Sequence, residues 1–259
     1  MQLTKLSQPN TPFFNKIDIG SPELVSIISY PRLSYTEYTN RLKEIYSLGI
    51  NSILLGGSTK IGKIAITGKG CVSLVLRTEI KNKIFALKIR RTDANRDSMD
   101  REITLQKIAN SVGVGPSIFG YSKNFIVMEF VNGLRIIDWI NQQNVTADKI
   151  RNVINTTLEQ CYNLDRAHLD HGELSCLDHH VIISKSNNSK ILDFESSSTQ
   201  RKVSNVTSAA QSLLLSGLIS KRINEVLKLD KREKIIQTLK EYKWQQTRTN
   251  FDNIIGILC

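Results

Sequence analysis

The sequence predicts an α+β protein in which an antiparallel, β-rich first lobe precedes a small, mainly helical second lobe. Three observations predict it. Between Ile53 and Ile89, short β-branched and aliphatic runs ("SILL", "KIAIT", "CVSLVLR", "KIFALKI") alternate with Gly, Lys and Asn turns, the pattern of successive hairpins. Between Thr146 and His168, the residues Ile150, Val153, Ile154, Leu158, Cys161 and Leu164 recur at helical spacing. The 259 residues, 40% of them apolar, are enough to bury the core that such an arrangement needs.

Residues 1–27 open on a polar stretch with Pro9, Pro12 and Pro22 and are expected to form a loosely held arm. The first lobe is expected over 28–130. It begins with a helix from Ser34 to Leu48, whose capping-type start and spacing put Tyr38, Leu42, Ile45 and Tyr46 on one face before Gly49. After the hairpins come a polar helix from about Asp97 to Asn110, the turn "GVGP" and the strand "NFIVMEFV". The second lobe, 131–259, holds the long helix, a loop, the strand "VIIS", the turn "KSNNSK", the strand "KILDF" and mainly helical sequence thereafter.

The net charge of +11 and pI near 9.5 favour acidic partners such as a nucleotide, RNA or phosphorylated protein. Cys71, Cys161, Cys176 and Cys259 form no C-x-x-C pair, which argues against a zinc site or a disulfide framework and for a reducing cytoplasm. No apolar leader and no stretch long enough to cross a bilayer is present in the sequence, so the expectation is a protein without membrane contact.

Two glycine-rich segments compete for a phosphate. Gly57 to Lys63 spells most of a Walker A loop, but Ile64 stands where Ser or Thr is needed and the β-branched continuation cannot open the required helix. That segment reads as a hairpin turn. Gly68-Lys-Gly70-Cys-Val-Ser73-Leu-Val75 fits G-x-G-x-x-G-x-V with Ser73 at the third glycine. Here Gly68 and Gly70 allow close approach of backbone to phosphate, and Val75 covers an adenine face. Downstream, Lys88 interrupts an apolar strand, where an ammonium either faces solvent or neutralises phosphates under the hold of a helix carboxylate such as Glu102. Met128 would line the back of an adenine pocket, with backbone groups of Glu129 and Val131 at the adenine edge. His171-Gly172-Glu173-Leu174 forms a loop after the long helix, with His171 as a structural residue and Glu173 as the carboxylate that orients or deprotonates an acceptor hydroxyl. Asp193 ends "KILD" as the expected Mg²⁺ ligand, and Glu195 either adds a carboxylate or fixes the loop.

A strand lysine, a helix glutamate, a His-x-acid-Leu loop and a strand-terminal Asp-Phe, in that order, are the ATP-handling parts of a protein kinase. Across roughly Ile28 to Gly217 the chain resembles the archaeal predicted serine/threonine kinases related to the RIO and Bud families of atypical kinases. The residues that carry the resemblance are "ISYPRLSYTEYTNRL", "GKGCVSLVL", "ALKIRR", "REITLQKIANSVGVGP", "HGELS…HHVII", "LDFESSS" and "SNVTSAAQSLLLSG". It implies a bilobal protein-kinase-like fold, ATP and Mg²⁺ as cofactors, and a small C-terminal lobe without the usual peptide-docking elements. The second-metal asparagine is missing. Counted from Glu173 its place falls near Asp178, and Asp178 or His180 is implied instead. The expected function is phosphoryl transfer to protein serine or threonine, including the protein itself. The alternatives are an ATP-binding pseudokinase serving as scaffold in a protein or ribonucleoprotein complex and, third, a small-molecule phosphotransferase.

Overall fold

The computed structural model describes residues 15–229 and 231–258, so the first fourteen residues of the expected arm lie outside the described residues, as does Cys259. The rest of that arm is ordered structure. Asn15–Asp18 is a strand and Pro22–Leu24 a 3-10 turn leading into the helix Val25–Ile28. Leu24, Val25, Ile27 and Ile28 are buried there, and the closely spaced apolar side chains overrule the polar, proline-marked stretch before them.

The chain is α+β and divides into two units, one comprising the residues up to Met99 with Phe119–Met128, the other Asp100–Ile118 with the chain from Glu129 onward. The first unit is built on a seven-stranded sheet, whose path runs Asn15–Asp18, Ser52–Leu55, Ser73–Ile80, Lys83–Arg90, Phe125–Glu129, Ile118–Tyr121; Gly68–Lys69 pairs Ser73–Ile80 from the side. Ser73–Ile80 and Lys83–Arg90 form its longest antiparallel pair, joined at Ile80 and Lys83 through Lys81 and Asn82. Both turn residues have positive φ (49° and 62°), the geometry of a two-residue turn that matches strand twist. Leu74, Leu76, Leu87 and Ile89 point to one core, together with Phe125, Val127 and the helix residues Tyr38 and Ile45. The opposite face carries Val75 and Lys88, which are direct cross-strand partners, and Gly68 opposite Val75.

The helix Tyr35–Ser47 is capped by Ser34, whose hydroxyl accepts from the Glu37 amide. Tyr38 and Ile45 are buried as their spacing predicts, but Tyr46 is 50% exposed and Arg41 takes a place in the interior. Arg41 is tolerated because its guanidinium donates to the carbonyls of Ile28 (2.9 Å) and Arg90 (2.6 Å) and pairs with Glu37. The Walker-like segment is a hairpin of Thr59–Ile61 and Ile64–Ile66 with no helix after it, as expected. Gly57 is irreplaceable there, since a Cβ would lie 2.2 Å from the Ile66 carbonyl oxygen.

The second unit is mainly helical. Its centre is Ala147–Arg166, with Thr146 as cap and Ile150, Val153, Ile154, Leu158, Cys161 and Leu164 all buried. Around it pack Asp100–Ser111, Asn205–Ala210, Gly217–Leu227, Arg232–Trp244 and Arg248–Ile255, and a small antiparallel sheet of Gly133–Arg135, Val181–Ser184 and Ser189–Ile191. Among the described residues no helix is long and apolar enough to cross a membrane.

Candidate functional site

A dense network of buried polar groups lies under the loop that follows the long helix. Asp165, on the last turn of that helix, accepts from the Asn205 amide, the Asn205 side chain, the Val206 amide and the Tyr242 hydroxyl. Burial pushes its carboxyl above the ordinary value, and these donors pull the other way. Asn205 passes the restraint on: its Nδ2 also donates to the Leu169 carbonyl and its Oδ1 accepts from the His171 amide, each at 2.8 Å. Asp170 bridges to Ser198 in both directions through backbone hydrogen bonds, and Arg201 clamps the Asp170 carboxylate and the Ser196 carbonyl. Gly172, at φ 90°, lies under that clamp, and a Cβ on it would meet the Arg201 guanidinium at 2.4 Å.

His171 is fully buried, and its Nε2 lies 3.0 Å from the Leu192 carbonyl oxygen. A carbonyl only accepts, so Nε2 carries the proton. Burial is the main cause holding this imidazole below its ordinary value, and its buried place under the loop is the structural one expected for it. Its ring sits 5.3 Å from both His180 and Phe194. Phe194 in turn covers Gly115, where a Cβ would lie 2.5 Å from the ring. The consequence is a fixed origin for two loops, one leading to Glu173 and the other to Asp193.

Asp193 follows the strand Ser189–Ile191 in a left-handed conformation, φ 67°. Glu173, His180 and Asp193 each offer a ligand atom within 4.8 Å of the others. The Nε2 of His180 stands 3.6 Å from Glu173 Oε2. Two of the expected metal ligands, Asp193 and His180, are thus together with the expected acceptor carboxylate. Asp178 is not in the group; its carboxylate faces His179 at 3.1 Å, because the short helix Leu177–His180 presents successive side chains on different sides. A cavity of about 280 Å³ opens on the same loop, lined by Asp170, Gly172, Leu174, Arg201, Ser204, Asn205 and Ser208; Glu173 is not among its lining residues.

The other expected residues are placed as follows. Lys88, in the first unit, is 4% exposed and so does not face bulk solvent; Glu102, in the second, is 1% exposed in the first turn of its helix. Ser73 is buried behind the glycine turn, where Gly70 donates its amide to the Ser73 carbonyl at 2.8 Å. That amide is committed within the protein, and neither Gly68 nor Gly70 has a φ that demands glycine. Val75 and Met128 are half-buried. Glu129 gives its amide to the Ser117 carbonyl and its carboxylate to Lys190 at 2.7 Å, which leaves its amide committed; Val131 is half-buried beyond it.

Asp165, Asn205, Arg201 and Gly115 support the site without having been singled out in the sequence. Asp165 had a visible signal: it falls four residues after Cys161 on the apolar stripe of the long helix, where a carboxylate needs buried donors. Comparison with protein-family models and with curated proteins finds no match to this chain.

Proposed function

We propose that this protein is an ATP- and divalent-cation-dependent phosphotransferase of kinase-like bilobal fold, acting on a serine or threonine hydroxyl, its own included. The observation that carries the reading is the convergence of Glu173 and Asp193, with His180, on two loops tied to one buried frame. Phosphoryl transfer asks a protein mainly for positioning and charge neutralisation, and that is what such a frame supplies. The carboxylates of Asp193 and Glu173 suit Mg²⁺, a hard ion that takes oxygen ligands. When bound, the ion would offset charge on the transferring phosphate. Lys88, buried on the face shared with Gly68 and Val75, has the charge and setting for nucleotide phosphates. The basic balance of the chain, +11, favours such an anion.

Incubation with γ-labelled ATP and Mg²⁺ tests the reading. Slow incorporation into the wild-type protein is expected, falling by at least about 100-fold in Asp193→Ala and Lys88→Ala with their melting temperatures kept. Incorporation by wild type no greater than by Asp193→Ala would overturn it.

A further inference from the structure

We propose that Glu173, His180 and Asp193 form a mixed nitrogen–oxygen site that takes Mn²⁺ in preference to Mg²⁺, with Glu173 as a ligand of the ion rather than a proton acceptor. The proposal deepens the phosphotransferase reading of this site and rests on it only for what the ion is used for.

Two observations carry it. The first is the donor set. Mg²⁺ takes oxygen ligands almost alone and keeps much of its water, whereas an imidazole nitrogen is a good ligand for first-row transition ions. Carboxylate and water suit Mn²⁺ as well, so two carboxylates plus one imidazole lean toward it. The spacing is somewhat wider than in an occupied site: bonds of about 2.0–2.1 Å at right angles place adjacent ligand atoms roughly 3 Å apart, and His180 Nε2, 3.6 Å from Glu173 Oε2, would draw in by about half an ångström to bind.

The second observation is the state of the His180 ring. His180 is 9% exposed, its Nδ1 is buried without a hydrogen-bond partner, and its Nε2 contact with Glu173 is longer than a hydrogen bond. Buried imidazoles normally find a partner for at least one nitrogen. It is Nε2, the nitrogen facing Glu173 beyond hydrogen-bond reach, that a cation between the ring and the two carboxylates would engage; the orphaned Nδ1 lies on the other side of the ring. His179, its neighbour, is 65% exposed and pairs with Asp178, so the chain places one histidine in the group and one outside it.

The test uses metal-stripped full-length protein without nucleotide, titrated with MnCl₂ and followed by electron paramagnetic resonance, with pulsed measurement of ¹⁴N coupling to the bound ion. One Mn²⁺ per chain with ¹⁴N coupling is expected in the wild type and in His179→Ala, and no coupling in His180→Gln. Loss of even a supporting partner of a ligand typically lowers metal affinity about 10–100-fold, so His180→Gln and Glu173→Gln should each bind Mn²⁺ at least about tenfold more weakly. His180→Gln should also lose the preference over competing Mg²⁺. Absence of ¹⁴N coupling in the wild type, coupling that disappears with His179 instead, or unchanged Mn²⁺ affinity in Glu173→Gln would each overturn the proposal. The wild-type spectrum decides by itself if a variant melts early. Because no ATP is present, failed phosphoryl transfer leaves this outcome untouched, and a missing nitrogen signal leaves transfer with Mg²⁺ standing.

Discussion

Asn205→Ala should release the loop that carries Glu173. The side chain makes three buried hydrogen bonds, to Asp165, to the Leu169 carbonyl and from the His171 amide. Asp165 keeps its other donors, Asn205 N, Val206 N and the Tyr242 hydroxyl, so its share of the loss is small. The Leu169 carbonyl and the His171 amide are left buried and unsatisfied, at about 1–3 kcal/mol each. The sum, about 2–6 kcal/mol, corresponds to a fall in melting temperature on the order of 10 °C for a unit of this size. Calorimetry of the variant beside Thr207→Ala, on the same helix but half-buried and bonded only to Ser204 O, measures it. Hydrogen exchange at the His171 amide should accelerate in the first and not in the second. Melting within 2 °C of wild type, with exchange at His171 unchanged, would refute the idea that Asn205 sets the loop.

Gly115→Ala is expected to destabilise by about 2–4 kcal/mol, since the residue needs φ +79° and its new methyl would press on the Phe194 ring; a chemical denaturation midpoint equal to wild type would count against that packing. Tyr242→Phe removes a donor from the buried Asp165 carboxyl and should cost about 1–2 kcal/mol at neutral pH. The sign of its pH dependence follows from burial, which raises the folded value of Asp165: the stability Asp165 contributes is fully present below its ordinary value of 3.8 and is lost as pH rises through the raised one. The Tyr242 hydroxyl supports the ionised form, so the deficit in Tyr242→Phe should shrink as pH falls toward 3.8, and a deficit that grows in acid would contradict the assignment.

What was legible in the chain was whatever rests on periodicity. The stripe from Ile150 to Leu164 and the runs either side of Lys81-Asn82 state their elements directly, because apolar burial repeats with the backbone. What escaped depends on partners far along the chain. Arg41 is held in the interior because two backbone carbonyls accept from it, one of them at Arg90, and no local pattern announces that. The cluster of Glu173, His180 and Asp193 shows the same limit from the other side. Counting from Glu173 points to Asp178, yet residues along a loop measure contour and not distance, and one helical turn brings His180 round instead. Gly70 has the spacing of a phosphate loop, while its amide is spent on Ser73, which only the fold of the turn reveals.

The hydroxyl of Tyr242 closes the shell around Asp165 from a helix that begins at Arg232, some sixty residues after the loop it helps to hold. A chain emerging from the ribosome therefore presents Glu173, His180 and Asp193 well before their platform can lock. Until that late helix docks, the buried Asp165 carboxylate lacks one of its four donors, and the frame beneath the two loops is incomplete.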